Sequence, residues 1–231
     1  MSLKNVKIAK PTYSEIIPST KQKVSIHPFK VGDEKVLLMA AESKDTLQMS
    51  SALKQVIDNC VDGVEANSLA SYDLEYLFLK LRSISVGETV ELGLKCISCD
   101  VTNKINIDLT EIGIREDDRH TNVLKINEDL VFKMKYPDIN DLAITEQNVD
   151  SMLDLIVKSV ETVFYGEETI NIGPADREDL LSIINQLTST QFQLFQDFFL
   201  TAPKVSHTVD FKCGECGEAN TQKLEGLANF F

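Results

Sequence analysis

The chain has 231 residues, 43% of them hydrophobic, enough to bury a substantial core in one domain or in two closely packed ones. Its formal net charge of -13 at pH 7 argues against a surface that holds nucleic-acid phosphates or anionic lipid by counterion release. No apolar run reaches the roughly 18 residues of a membrane-spanning helix and no apolar export signal opens the chain, so the expectation is a protein made in a reducing cytoplasm, with no membrane and no nucleic acid as partner.

Residues 1–20 carry Pro11 and Pro18 without a sustained period and read as an extended N-terminal arm. Basic residues gather at Lys4, Lys7, Lys10, Lys21, Lys23, Lys30 and Lys35, which is either a solvated face or a contact for an acidic partner. Val24 and Ile26 alternate within a short strand between Lys21 and Phe29. A first helix starts at Gly32 or Asp33 and carries Val36, Leu37, Leu38, Ala40 and Ala41; a second is capped by Asp45 and runs towards Val61. Leu53, Val56, Ile57, Cys60 and Val61 share one stripe of that helix, which makes Cys60 a buried thiol. A third helix opens at Ser71 or Asp73 and sets Leu74, Leu77, Phe78 and Leu81 on one face. Tyr76 and Leu79 widen that face, so this helix is expected at the centre of the core, and Gly87 stops it.

Strands follow. Thr89 to Leu94 leads into Cys96-Ile97-Ser98-Cys99, and Val101, Ile105, Ile107 and Leu109 lead out, giving a hairpin with two thiols at its tip. A second hairpin turns across Asn127 to Asp129, from Val123, Leu124 and Ile126 to Leu130, Phe132 and Met134, and Pro137 ends it. Met152, Leu153, Ile156, Val157, Val160, Val163 and Phe164 repeat at helical spacing, predicting a helix up to a stop at Gly166. Two further helices are expected, one with Leu180, Leu181, Ile183, Ile184 and Leu187 starting near Asp176, the other with Phe192, Phe195, Phe198 and Phe199 facing the core. Lys204 to Lys212 returns to strand, Cys213-Gly214-Glu215-Cys216 makes a second cysteine turn, and Asn220 to Leu224 leads out. The arm and the terminal Phe230-Phe231 are either docking elements or segments folded back on the chain itself.

Cys96, Cys99, Cys213 and Cys216 match the ligand set of a tetrahedral structural Zn2+ site, because two intervening residues let adjacent thiolates grip one ion from a tight turn. The pairs lie roughly 110 residues apart, so a folded insertion must separate them. A redox dithiol, a disulfide pair and unligated thiols are the alternatives. The odd count of five cysteines and the reducing compartment favour metal over disulfides. The expected fold is α+β, a mainly helical body with β-hairpins, two of which form a split, zinc-ribbon-like site of four cysteines around a helical insertion. In residues, 21–87 hold the first strand and helices. Residues 88–231 form the zinc-hairpin region, made of 88–110 and 204–231 around an insert of 111–203, packed as one unit with 21–87.

Catalytic signatures are missing: there is no phosphate loop, no Gly-x-Ser-x-Gly and no His-Glu-x-x-His. His27, His120 and His207 read as structural or solvated, although His207 precedes the second cysteine turn and would open the site if it replaced a thiolate. Glu116-Asp117-Asp118 reads as a solvated turn. The chain is therefore read as non-enzymatic, with no catalytic and no small-molecule-binding residue; a zinc-ribbon nucleic-acid binder is a lesser alternative that the acidic charge disfavours.

Two stretches are familiar as sequences. IPSTKQKVSIHPF from Ile17 to Phe29 continues to EKVLLMAAES from Glu34 to Ser43, and YDLEYLFLKLR from Tyr72 to Arg82 continues to SVGE from Ser85 to Glu88. They resemble the T-even-type bacteriophage baseplate protein family, whose members are classed as baseplate hub subunits, and the likeness is carried best by residues 17–100. The resemblance implies a structural or assembly protein of a contractile-tailed phage, with other baseplate hub and tail proteins as partners. It further implies assembly in the host bacterial cytoplasm and a place in the baseplate of the virion tail. A tail assembly chaperone absent from the mature virion is the alternative role.

Overall fold

The computed structural model describes residues 10–143 and 149–230; Lys4, Lys7 and Phe231, named above for a basic face and a terminal ring, lie outside the described residues. The first elements are β1 (Tyr13–Ile16), β2 (Lys23–Ile26), α1 (Val31–Ser43), α2 (Thr46–Cys60), β3 (Val61–Asp62), α3 (Ser71–Ser85), β4 (Thr89–Lys95), β5 (Thr102–Asp108) and β6 (Gly113–Arg115). Next come β7 (Val123–Lys125), β8 (Leu130–Met134), α4 (Ile139–Ala143), α5 (Val149–Ser159), β9 (Val160–Tyr165), β10 (Glu168–Asn171), α6 (Arg177–Ile184) and α7 (Ser189–Thr201). The chain closes with β11 (Lys204–Lys212), β12 (Ala219–Glu225) and a 3-10 turn, Leu227–Phe230. Helix accounts for 41% and strand for 29%, so the α+β class holds.

Two compact units result, one running to Ile114 and resuming at Val205, the other spanning Arg115–Lys204. In the first unit α1 packs on α2 and α2 on α3, beside an antiparallel sheet ordered β1-β2-β3. The Asp45 carboxylate caps α2 by accepting from the N–H groups of Leu47 and Gln48, as the sequence predicts. Leu74, Leu77, Phe78 and Leu81 of α3 are all buried, and Phe29 stacks on Phe78 at 5.7 Å between ring centroids. Cys60 is buried as expected, with its thiol pushed up to about 11, first by burial and then by the neighbouring Asp33.

From Tyr13 to Ser19 the opening segment is folded back on the chain, one of the two placements its sequence leaves open. Tyr13–Ile16 pairs antiparallel with Lys23–Ile26, Ile17 is buried, and Ser19 donates through N and Oγ to the buried Asp73 carboxylate at 2.9 and 2.5 Å. Four residues, three of them exposed, show no period to read. Of the apolar residues of α1, Ala40 is buried, whereas Leu38 and the adjacent Met39 are each 60% exposed. At the other end Phe230 is 0% exposed and folded into its own unit, where the Leu227–Phe230 turn lies against α3.

That turn contacts a titrating group of α3. Burial pushes the Glu75 carboxyl up to about 7 from its ordinary 4.5, partly offset by a hydrogen bond from the Leu227 N–H. A carboxyl whose folded pKa is raised favours the folded state below about pH 4.5 and loses that contribution as pH rises through 7. Glu75→Gln should therefore raise the melting temperature at pH 8 and change it little at pH 5. A Tm difference independent of pH would mean that Glu75 titrates as a solvated carboxyl.

In the second unit an antiparallel sheet ordered β10-β9-β8-β7 carries Leu124, Phe132, Met134, Val160 and Val163 into one core with Ile156, Leu180, Ile184, Phe195 and Phe198. Phe132 meets Phe195 edge to face at 5.3 Å, so the aromatic face of α7 is core, as predicted. The helix expected from Met152 to Phe164 ends at Ser159, and Val160–Tyr165 continues as β9. The physical reason is composition: Val160, Thr162, Val163, Phe164 and Tyr165 are β-branched or aromatic, and pairing with β8 wins over helical periodicity that fits the same apolar positions. Gly166, at φ 59°, turns the chain into β10 instead of ending a helix.

Candidate metal centre

The two cysteine turns sit at the tips of two antiparallel hairpins, β4 with β5 and β11 with β12, whose last pairs are Lys95 with Thr102 and Lys212 with Ala219. Each tip is built the same way. The Cys96 N–H donates to the Val101 carbonyl at 2.9 Å and the Asp100 N–H to the Cys96 carbonyl at 3.1 Å; the Cys213 N–H donates to Glu218 at 2.8 Å and the Gly217 N–H to Cys213 at 3.0 Å. Asp100 and Gly217 both take left-handed backbone, φ 58° and 75°, which Asp tolerates and Gly adopts freely.

The tips meet. Cys96 Sγ lies 3.7 Å from Cys216 Sγ, Cys99 Sγ lies 3.7 Å from Cys213 Sγ, and all four sulfurs are within 4.8 Å of one another. A tetrahedral ion with metal–sulfur bonds of about 2.3 Å sets its sulfurs about 3.8 Å apart, so the cluster is compatible with one metal ion held by four thiolates. The local field supports thiolate formation at the first cysteine of each pair. The N–H groups of Ser98 and then Cys99 lower Cys96, and those of Cys216 and then Glu215 bring Cys213 down to about 6. For Cys99 and Cys216 a backbone N–H, of Val101 and Glu218 respectively, also lowers the pKa. Burial and the sulfurs of Cys213 and Cys96 outweigh it at both; at Cys99 the Cys216 sulfur adds to them and the thiol is pushed up to about 12, since crowded negative sulfurs repel unless a cation sits among them.

His207 stands on β11 opposite Leu224 and is outside the cluster. His120 is held by Thr201 Oγ1 at 2.9 Å and by the Tyr136 hydroxyl at 2.8 Å and packs on the rings of Tyr136 and Phe198. His27 contacts Asp62 Oδ2 at 2.7 Å. In the acidic turn Asp117 closes on Arg119 at 2.8 Å. Two residues of the centre escape the spacing argument: Asn103 and Asn220, whose amides lie against sulfurs of the cluster. The signal for them is in the chain, since each follows the second cysteine of its turn by the same interval, in Cys-x-x-Cys-x-x-x-Asn written twice.

A family described as T4 bacteriophage base plate protein matches residues 10–231, and the chain belongs to that family. The likeness carried by residues 17–100 thus extends over nearly the whole length. Among curated relatives, the baseplate hub assembly protein gp26 of Enterobacteria phage T4 is 27% identical over 213 residues, covering 87% of this chain and 95% of the relative. No solved structure gives a significant match. Among the described residues no helix is long and apolar enough to cross a membrane.

Proposed function

We propose that this chain is a non-enzymatic structural protein that acts in assembling the baseplate hub of a contractile-tailed phage, with Cys96, Cys99, Cys213 and Cys216 holding one structural Zn2+. The observation that carries the zinc reading is the closeness of the cluster: four sulfurs within 4.8 Å of one another, two pairs of them at 3.7 Å, can fill a four-coordinate shell, which would then leave no position for water or substrate. A sulfur-only tetrahedral set suits zinc, and a filled shell suits fastening over chemistry. The ion would tie residues 88–110 to 204–231 as one zinc-hairpin region around the 111–203 insert. Membership of the base plate family and the name of the T4 relative support the assembly role. Other hub and tail proteins would be the partners, in the host cytoplasm during assembly and in the virion baseplate thereafter.

An assembly role is also compatible with a second variant of this reading, a factor absent from the mature virion. Mass spectrometry of hub intermediates from infected cells beside purified virions separates the two. Presence in both makes the chain a permanent hub subunit, and presence in intermediates alone makes it a departing factor. Absence from both would overturn the assembly reading.

A further inference from the structure

The two cysteine turns exchange asparagines. Asn103, on the strand leaving the first turn, accepts through Oδ1 from the Gly214 N–H at 2.9 Å and points Nδ2 at Cys213 Sγ, 3.7 Å away, both in the second turn. Asn220, on the strand leaving the second turn, accepts from the Ile97 N–H at 2.9 Å and points Nδ2 at Cys96 Sγ, 3.6 Å away, both in the first. The remaining amide hydrogen goes home in each case, from Asn103 to the Val101 carbonyl at 3.0 Å and from Asn220 to the Glu218 carbonyl at 2.9 Å. A backbone N–H only donates, so it must face the amide oxygen, and that fixes the NH2 group towards the sulfur.

We infer that Asn103 and Asn220 are positioning residues of the metal centre, each reaching from its own hairpin into the other to hold a metal-bound thiolate and to set the pairing of the two turns. This rests on the zinc reading above. Two observations favour it over a merely local role. First, the sulfurs addressed are those of Cys96 and Cys213, the two buried members of the cluster, which water reaches poorly; Cys99 and Cys216 are more open, and solvent can serve them. A buried thiolate needs a donor, and the asparagine amide takes the place of water. Second, Asn220 is 2% exposed, a cost its amide recovers only through these contacts. Four thiolates around a divalent ion carry net negative charge, and N–H donors directed at sulfur spread that charge, lower the tendency of the thiolate to take up a proton, and so slow loss of the ion.

The test uses the full chain reloaded with Co2+, whose sulfur-to-metal charge-transfer absorption reports the thiolates directly. Asn103→Asp and Asn220→Asp keep an oxygen for the Gly214 and Ile97 N–H groups but remove the donor to sulfur; Asn103→Ala and Asn220→Ala remove both. The aspartate variants should shift the charge-transfer band to lower energy, because a thiolate without its donor gives up electron density more readily. In competition with a chelator they should hold cobalt roughly 10- to 100-fold less tightly. A role confined to folding would lower the melting temperature and leave the band in place. Asn103 is only partly buried, so Asn103→Asp provides a folded variant even if Asn220→Asp does not. Wild-type band position and affinity in folded Asn103→Asp would overturn the inference while leaving the metal reading intact. Failure of the wild-type chain to take up cobalt would remove both.

Discussion

Cys216→Ser should abolish stoichiometric zinc binding. Wild-type chain purified with zinc present is expected to carry one equivalent by elemental analysis, and the variant to lose affinity by more than about 100-fold, beyond what changes outside the ligand shell cost. Cys216 sits within 4.8 Å of the other three sulfurs, so removing it opens the shell and leaves three thiolates without a fourth partner. Metal binding and folding are coupled when a site does not exist in the unfolded chain, and this one requires two sulfurs that are 120 residues apart. The joint between β4–β5 and β11–β12 should therefore loosen in the variant. Amide exchange should quicken at both turns while α3, deep in its core, stays protected. Cys60→Ala is the control: Cys60 lies outside the cluster, against Asp33, and its loss should leave the zinc content unchanged. A wild-type chain without zinc, or a Cys216→Ser chain with one equivalent, would remove the basis of the metal centre.

Leu77→Ala should cost about 2 to 5 kcal/mol, because Leu77 is 0% exposed in the middle of α3 and the cavity left behind cannot be reached by solvent. Urea denaturation should show a lower midpoint with an unchanged slope. Leu38→Ala supplies the contrast. Leu38 is 60% exposed on α1, and its truncation should stay within about 0.5 kcal/mol of wild type. A wild-type midpoint for Leu77→Ala would place α3 at the surface and make its apolar breadth a docking face.

These two leucines show where reading the chain succeeds and where it stops. Both lie in apolar stretches read as helix, and both helices are real, but only the packing of α2 between α1 and α3 decides that one leucine is covered and the other faces out. The same limit explains Val160 to Tyr165. Its apolar positions suit a helix or a strand, and the neighbour β8, which forms from residues earlier in the chain, settles the matter by offering a ladder to join. The opening segment and Phe230 follow suit, since nothing local distinguishes a ring or a short strand that docks on a partner from one that folds onto its own unit.

What the chain determines by itself is local: the Asp45 cap, the stop at Gly87, the strand-turn-strand course around each Cys-x-x-Cys and the left-handed residue after it all follow from backbone preferences within a few residues. The four cysteines are legible as candidate ligands for the same reason, because the grip of two thiolates on one ion would depend on a spacing of three positions. What only the tertiary structure decides is which turn meets which and what completes the meeting. The opposition of Cys96 to Cys216 and of Cys99 to Cys213, and the crossing of Asn103 and Asn220 between turns, need both hairpins placed side by side. No local preference encodes a hydrogen bond between residues more than a hundred positions apart; it arises from the burial that brings the two hairpins together and from the need to pair every polar group hidden by that burial.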